Sequence, residues 1–362
     1  MWDLTMDTSP PIIPVLFDLA EPIVLSVGLN IERKGMRQIQ LVAPGELVER
    51  QVPPPKVPSG EALIRIRRVG VCGSDFHAFA GRHPAYTYPR VLGHELAGEV
   101  VEVGTNEKDI KPGDRCAIDP YVNCGLCAPC KNGQTNCCER LTVLGIHIDG
   151  GMQALLSVRT DLLHKSATLP LDQLAMIETL GIGAHAVARS GLKPGEQALV
   201  IGAGPIGLGV IIFARAAHAS VRVVEPNPFR QRFAESLGAE AMARPDDRLA
   251  DTVFDATGSA DSMGKSISYA APTGCVVFVG LTRDPFSIDD ALFHKRELTL
   301  YASRNSRDQF PRIVRMMEKG EIETSSWITD RMPLSEVPLR LKDLPTKSGL
   351  IKGLVELDDS DT

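Results

Sequence analysis

A chain of 362 residues is long enough for two domains with separate cores, and at 43% hydrophobic and 23% charged it has the makeup of a globular protein. Its net charge of -6 gives no electrostatic reason to expect nucleic acid or an anionic membrane as a partner. No apolar run approaches the roughly 18 residues a membrane-spanning helix needs. The N-terminal stretch lacks a basic segment and a small-residue cleavage site, so no secretory signal is expected and a reducing, cytoplasmic compartment is.

In chain order, the first 35 residues show no strand or helix pattern. A regular domain begins at Met36, where MRQIQLVAPGELVERQVPPPKVPSGEALIRIRRVGVC reads as strands separated by Gly and Pro turns. Met36 is therefore the expected start of the folded chain. The segment 1–35 is expected to be an upstream in-frame extension, because ERKG is what a purine-rich ribosome-binding site would encode. Short β-like runs such as ELAGEVVEVG and DRCAIDP continue to about residue 180. LDQLAMIETLGIGAHAVARSG then changes to helical spacing and stops at Gly191. From KPGEQALVIG to GCVVFVG strands and helices alternate, which means βαβ units on a parallel sheet. After Leu300 a helix is expected at RDQFPRIVRMMEKGEI and a short strand near LIKGLVEL.

Gly202, Gly204 and Gly207 form G-x-G-x-x-G between the strand ALVI and a helix that opens at Pro205 and Ile206. In that setting the first glycine makes the turn, the second lets a pyrophosphate approach the backbone, and the third lets helix and strand pack closely. The helix N-terminus offers free N–H groups to the phosphates. Glu225, 23 residues after Gly202, ends the next strand. A carboxylate there accepts hydrogen bonds from a ribose diol and repels a 2′-phosphate, which favours NAD over NADP. Arg222 and Arg230 flank it and could soften that preference, or could be plain surface arginines.

Two clusters have the side chains of metal sites. NCGLCAPCKNGQTNCCER, residues 123–140, holds five of the eight cysteines. Cys124, Cys127 and Cys130 at two-residue spacing, followed by a fourth thiolate, can close a tetrahedral zinc site with no position left for substrate. An iron–sulfur cluster is the alternative, and spacing leaves Cys137 and Cys138 both open as the fourth ligand. The second cluster is GVCGSDFHAFAGRHPAYTYPRVLGHELAGEV, with Cys72, Ser74, Asp75, His77, His83, His94 and Glu95. One Cys and one His are half of an open metal site. Beside a nicotinamide, a Lewis acid would polarise a hydroxyl.

C-G-S-D-x-H, then G-H-E, then the cysteine lobe, then G-x-G-x-x-G, in that order, resembles the zinc-dependent medium-chain dehydrogenases over Met36 to about Leu357. IETLGIGAHA resembles the polyol, sorbitol-type branch, which has a glutamate as zinc ligand where ordinary alcohol dehydrogenases have a cysteine. The resemblance implies an α/β protein with a GroES-like, mainly-β catalytic domain (36–182 and 301–362) around a Rossmann NAD-binding domain (183–300). It implies a catalytic zinc on Cys72, His94 and Glu178 with Glu95 as an alternative or supporting ligand, and a structural zinc on Cys124, Cys127, Cys130 and Cys138. Ser74 would take the alcohol proton, His77 would relay it, and Asp75 would orient His94. Thr257, Gly258, Val279 and Gly280 would lie along the cofactor, and Arg304 and Asn305 at the substrate, with Phe76, Tyr86 and Tyr88 as candidate pocket walls. Thr179 departs from the branch, which commonly has proline there. The reaction implied is hydride transfer between NAD and a secondary alcohol, a polyol or sugar acid, by a homodimer or homotetramer. Simple secondary alcohols, a zinc-free reductase and a non-catalytic NAD sensor are the alternatives.

Overall fold

The structure, a computed structural model, describes residues 35–105 and 109–362. The expected upstream extension falls on residues 1–35 and so lies, apart from Gly35, outside the described residues.

The first domain is organised by Glu61–Val71, whose EALIRIRRVGV sequence buries Ala62, Ile64, Ile66 and Val69. It lies inside a seven-stranded sheet between Glu95–Val103 and Lys352–Glu356. Antiparallel register sets Gly70 opposite Glu95, and Val71 opposite Gly353. The strand nearest the C-terminus is thus paired beside one from the first third of the chain. Gly70 is required by its neighbour, since a Cβ there would lie 2.0 Å from the Glu95 Oε2. Lys352–Glu356 also pairs in parallel with Ile328–Pro333. Ile39, Ile64, Leu96 and Ile118 form the heart of this domain's core.

The second domain is a six-stranded, all-parallel sheet in the order Glu240–Met242, Ser220–Val224, Gln197–Ile201, Ala250–Asp255, Ala270–Phe278, Thr299–Ala302. Numbered along the chain this is 3-2-1-4-5-6, the doubly wound arrangement, with its switch point between Gln197–Ile201 and Ala250–Asp255. Sheets of this kind take ligands beyond the carboxyl ends of the strands at the switch point; in this chain Gly202 and Thr257 follow those two strand ends. The helix Ile177–Ser190 carries the chain from one sheet toward the other and packs on Pro205–Ala216. Its left-handed stop is Gly191, as its sequence pattern suggests.

Candidate active site

The glycine-rich turn has the shape its sequence implies. Gly204 caps the helix Pro205–Ala216, and a Cβ on it would meet nothing within 4 Å, so the space above the helix N-terminus is open to a phosphate. Gly207 has the opposite constraint: a Cβ there would lie 1.9 Å from the Gly202 carbonyl oxygen. Glu225 is buried, and its two oxygens accept from the N–H groups of Ala203 and Asn227, both at 2.8 Å. The carboxylate is therefore held against the turn, with lone pairs left for a ribose. Arg222 is engaged elsewhere, with Asp246 at 2.8 Å and the Arg248 carbonyl at 2.9 Å. Arg230 reaches across to the Leu350 carbonyl at 3.3 Å. At the next strand ends, Thr257 donates through its hydroxyl to Asp255 at 2.6 Å, and the N–H groups of Val279 and Gly280 both reach the Asp255 carbonyl at 2.9 Å. Asp255, fully buried, organises this corner and was missed in the sequence reading; its one signal is an acid closing the apolar strand VFD.

In the cysteine lobe, ligand atoms of Cys124, Cys127, Cys130 and Cys138 all lie within 4.8 Å of one another, while Cys137 is exposed. The Cys138 Sγ is 3.8 Å from that of Cys127 and accepts from the N–H groups of Cys124 and Arg140, each at 3.3 Å. Main-chain N–H groups near Leu126 and Cys127 pull the Cys124 thiol down to about 5. Desolvation and the neighbouring thiols push Cys130 up to about 12. Four thiols so crowded can all ionise only around a cation, and four sulfurs at this spacing fit tetrahedral zinc.

The second cluster brings ligand atoms of Cys72, His94 and Glu95 within 4.8 Å. Cys72 caps the short helix Gly73–Phe79, and His94 and Glu95 stand at the start of Glu95–Val103. Burial works against a charge on His94, yet the adjoining Cys72, Asp75 and Glu178 outweigh it and raise its pKa to about 10. Burial pushes the carboxyls of Asp75 and Glu178 upward. Soft and hard anionic donors gathered in a dry pocket around an imidazole suit a zinc ion.

Glu178, in the first turn of Ile177–Ser190, is buried beside this set and accepts a hydrogen bond from the Tyr121 hydroxyl. Glu95 is clamped by Lys352, whose Nζ lies 2.6 and 2.8 Å from its two oxygens. The pair is almost wholly shut off from solvent, 1% and 2% exposed. Lys352 was not among the expected site residues, and a single lysine in LIKGLVEL carries little signal.

The proton-path residues lie on one short helix. The Ser74 Oγ is buried without a hydrogen-bond partner, and His77, one turn on, is exposed. Asp75 accepts the Cys72 N–H at 2.9 Å through one oxygen, while its other oxygen and the His94 Nδ1 are both buried without a hydrogen-bond partner. A helix-capping geometry turns one of its oxygens toward its own N-terminus, where it holds the Cys72 loop, while its charge still acts on the imidazole. Tyr88 donates to the Ala78 carbonyl at 2.7 Å and, with Phe76, packs on the domain core. The Tyr86 hydroxyl is buried and unpartnered, with His83 stacked edge-on at 4.7 Å. Arg304, expected at the substrate, donates through its Nε to the Asn136 carbonyl of the cysteine lobe at 3.0 Å. Asn305 adopts φ +54°, with its Nδ2 buried and unpartnered.

A doubly wound dinucleotide sheet, an open Cys–His–carboxylate cluster and a closed thiol lobe define a metal-dependent nicotinamide oxidoreductase. Residues 58–170 match the alcohol dehydrogenase GroES-like domain, and residues 205–319 match the zinc-binding dehydrogenase domain. The chain is 40% identical to the L-galactonate-5-dehydrogenase of Escherichia coli (strain K12), covering 86% of this chain and 96% of that one. It is 33% identical to the D-altritol 5-dehydrogenase of Agrobacterium fabrum, covering 83% and 94%. The fold superposes with a TM-score of 0.83 on a zinc-binding dehydrogenase from Sinorhizobium meliloti 1021 bound to NADP, 31% identical, covering 89% of this chain and 99% of that one. The chain belongs to the zinc-type medium-chain alcohol dehydrogenase family. No helix among the described residues is long and apolar enough to cross a membrane.

Proposed function

We propose that this chain oxidises a secondary hydroxyl of a polyol or sugar acid with NAD, in a reducing cytoplasm, as a homodimer or homotetramer. The observation that carries the reading is the Cys72–His94–carboxylate cluster, set in the same chain as an open glycine-rich phosphate turn. Cys72, His94 and Glu178, with Glu95 in reserve, would hold zinc, which when bound supplies the positive charge that makes a hydroxyl acidic near neutral pH. The Ser74 hydroxyl, buried and unpartnered, relays the alcohol proton, accepting it as it releases its own toward His77. His77, at the exposed end of the same helix, passes it to solvent. Gly202, Gly204, Pro205, Ile206 and Gly207 receive the pyrophosphate. Glu225 takes the ribose hydroxyls, while Thr257, Val279 and Gly280 line the nicotinamide side. Glu225 supports NAD even though the Sinorhizobium relative is bound to NADP, because a buried carboxylate fixed by two N–H groups cannot swing away from a 2′-phosphate. The named substrates of the two relatives, L-galactonate and D-altritol, support a polyhydroxy substrate oxidised at carbon 5.

Rates of NAD and NADP reduction over aldonates, alditols and simple secondary alcohols, measured alongside zinc content, test this. The expected result is two zinc ions per chain, highest kcat/KM on an aldonate or alditol, and a preference for NAD. Cys72→Ser should retain one zinc and lose turnover. Full turnover by that variant would overturn the assignment.

A further inference from the structure

The helix that carries Glu178 is also the surface on which the cysteine lobe is seated. Tyr121, in the two-residue strand Tyr121–Val122 leading into the lobe, donates its hydroxyl to Glu178. Asn136, in the lobe's single turn Thr135–Cys137, places its Nδ2 3.5 Å from the His185 Nε2. Burial holds the His185 imidazole down at about 4, so its ring nitrogen is free to accept. Glu178 and His185 are seven residues apart on Ile177–Ser190, which puts both on one face. Three further bonds dock the lobe onto the segment after the last strand of the parallel sheet: the same Asn136 Nδ2 to the Arg304 carbonyl at 2.8 Å, Arg304 to the Asn136 carbonyl at 3.0 Å, and Arg307 to the Gly133 carbonyl at 3.1 Å.

The stem of the lobe explains why Tyr121 cannot move by itself. Tyr121–Val122 pairs with Thr142–Val143, so the two strands bracket all four thiols from Cys124 to Cys138. The Tyr121 N–H is fixed on Asp119 at 3.0 Å. The phenol therefore stands where the folded stem puts it, and the stem is closed by the lobe's own ligands. We propose that Tyr121 is a positioning residue through which the closed cysteine lobe sets the orientation of Glu178, so that metal in the lobe and metal affinity of the catalytic pocket are coupled. This rests on the reading that Glu178 serves the catalytic pocket. A ligating carboxylate is oriented by hydrogen bonds to its second oxygen, and loss of such a partner typically lowers metal affinity about 10–100-fold. Glu178 is 4% exposed, so water cannot readily replace the lost donor.

Chelator titration of the holoenzyme, following release of each zinc separately, tests the coupling without using activity. Tyr121→Phe should keep the lobe zinc and release the catalytic zinc at about 10–100-fold lower chelator concentration. Cys130→Ser, which opens the lobe, should weaken the catalytic zinc in the otherwise native chain but add little in the Tyr121→Phe background. Unchanged catalytic zinc affinity in Tyr121→Phe overturns the proposal, and so do fully additive effects in the double variant. Should Cys130→Ser fail to fold, Asn136→Ala loosens the lobe's second grip with all four thiols present, and the same non-additivity is expected. Glu178→Gln separates the two readings. If it leaves catalytic zinc affinity intact, the ligand role of Glu178 falls; if it weakens zinc while Tyr121→Phe does not, only the coupling falls.

Discussion

The two metal pockets in the GroES-like domain are built on opposite plans. The lobe takes its four thiols from a single stretch, Cys124 to Cys138, and its geometry comes from local turns and main-chain N–H groups. The open cluster draws on Cys72 and on His94 and Glu95, with Lys352 behind Glu95 and Glu178 acting electrostatically on His94, from four separated segments. Its geometry comes from sheet register: Gly70 makes room for Glu95, and Val71 faces Gly353, the neighbour of Lys352. A site made locally closes on its ion and is saturated. A site assembled from distant strands and a helix N-terminus can leave one side open to substrate.

That contrast can be tested at both pockets. The largest effect is expected for His94→Ala, which should lower kcat by about 10³-fold or more, since the charge stabilisation lost amounts to several kcal/mol. Zinc content should fall from two ions per chain to one; a variant that kept both ions and most of its turnover would break the distinction between open and closed pockets. A second test sharpens the long-range character of the catalytic cluster. Lys352→Met leaves the buried Glu95 carboxylate without its partner and should destabilise the chain by about 3–5 kcal/mol in chemical denaturation. Glu95→Gln added to it should recover much of that loss, because neither position of the pair then carries a buried charge. The smallest effect is expected for Arg304→Ala. It removes one hydrogen bond from lobe to linker, so the melting temperature should fall by about 2–4 °C. The substrate KM should stay unchanged; a large rise in KM would return Arg304 to the substrate side of the comparison.

The same division separates what could be read in the sequence from what could not. The CxxCxxC run and the G-x-G-x-x-G turn are legible because their function needs only neighbours in the chain, and the tertiary environment adds confirmation without changing the geometry. Even there spacing left Cys137 and Cys138 both open and only the family resemblance implied Cys138; in the structure Cys138 lies with the other three thiols and Cys137 is exposed. The family resemblance gave Asp75 the orienting of His94; that one of its oxygens is taken by the Cys72 N–H is set by the capping geometry of its own helix, which the motif does not encode. Arg304 is a substrate candidate because similar Ser-Arg-Asn runs occur in polyol and sugar-acid members of the family; its contact with the Asn136 carbonyl of the docked lobe is one no local pattern encodes.

By itself the sequence determined two domains, a parallel dinucleotide sheet and a cysteine-rich lobe, which follow from local spacing and periodicity, while the ligand set of the open metal site came only from the family resemblance. Only the tertiary structure decided that Glu95 is paired with Lys352, 257 residues away, and that Tyr121 of the lobe holds Glu178, 57 residues away. Those contacts are set by which strands lie side by side and in what register, and no run of neighbouring residues encodes that.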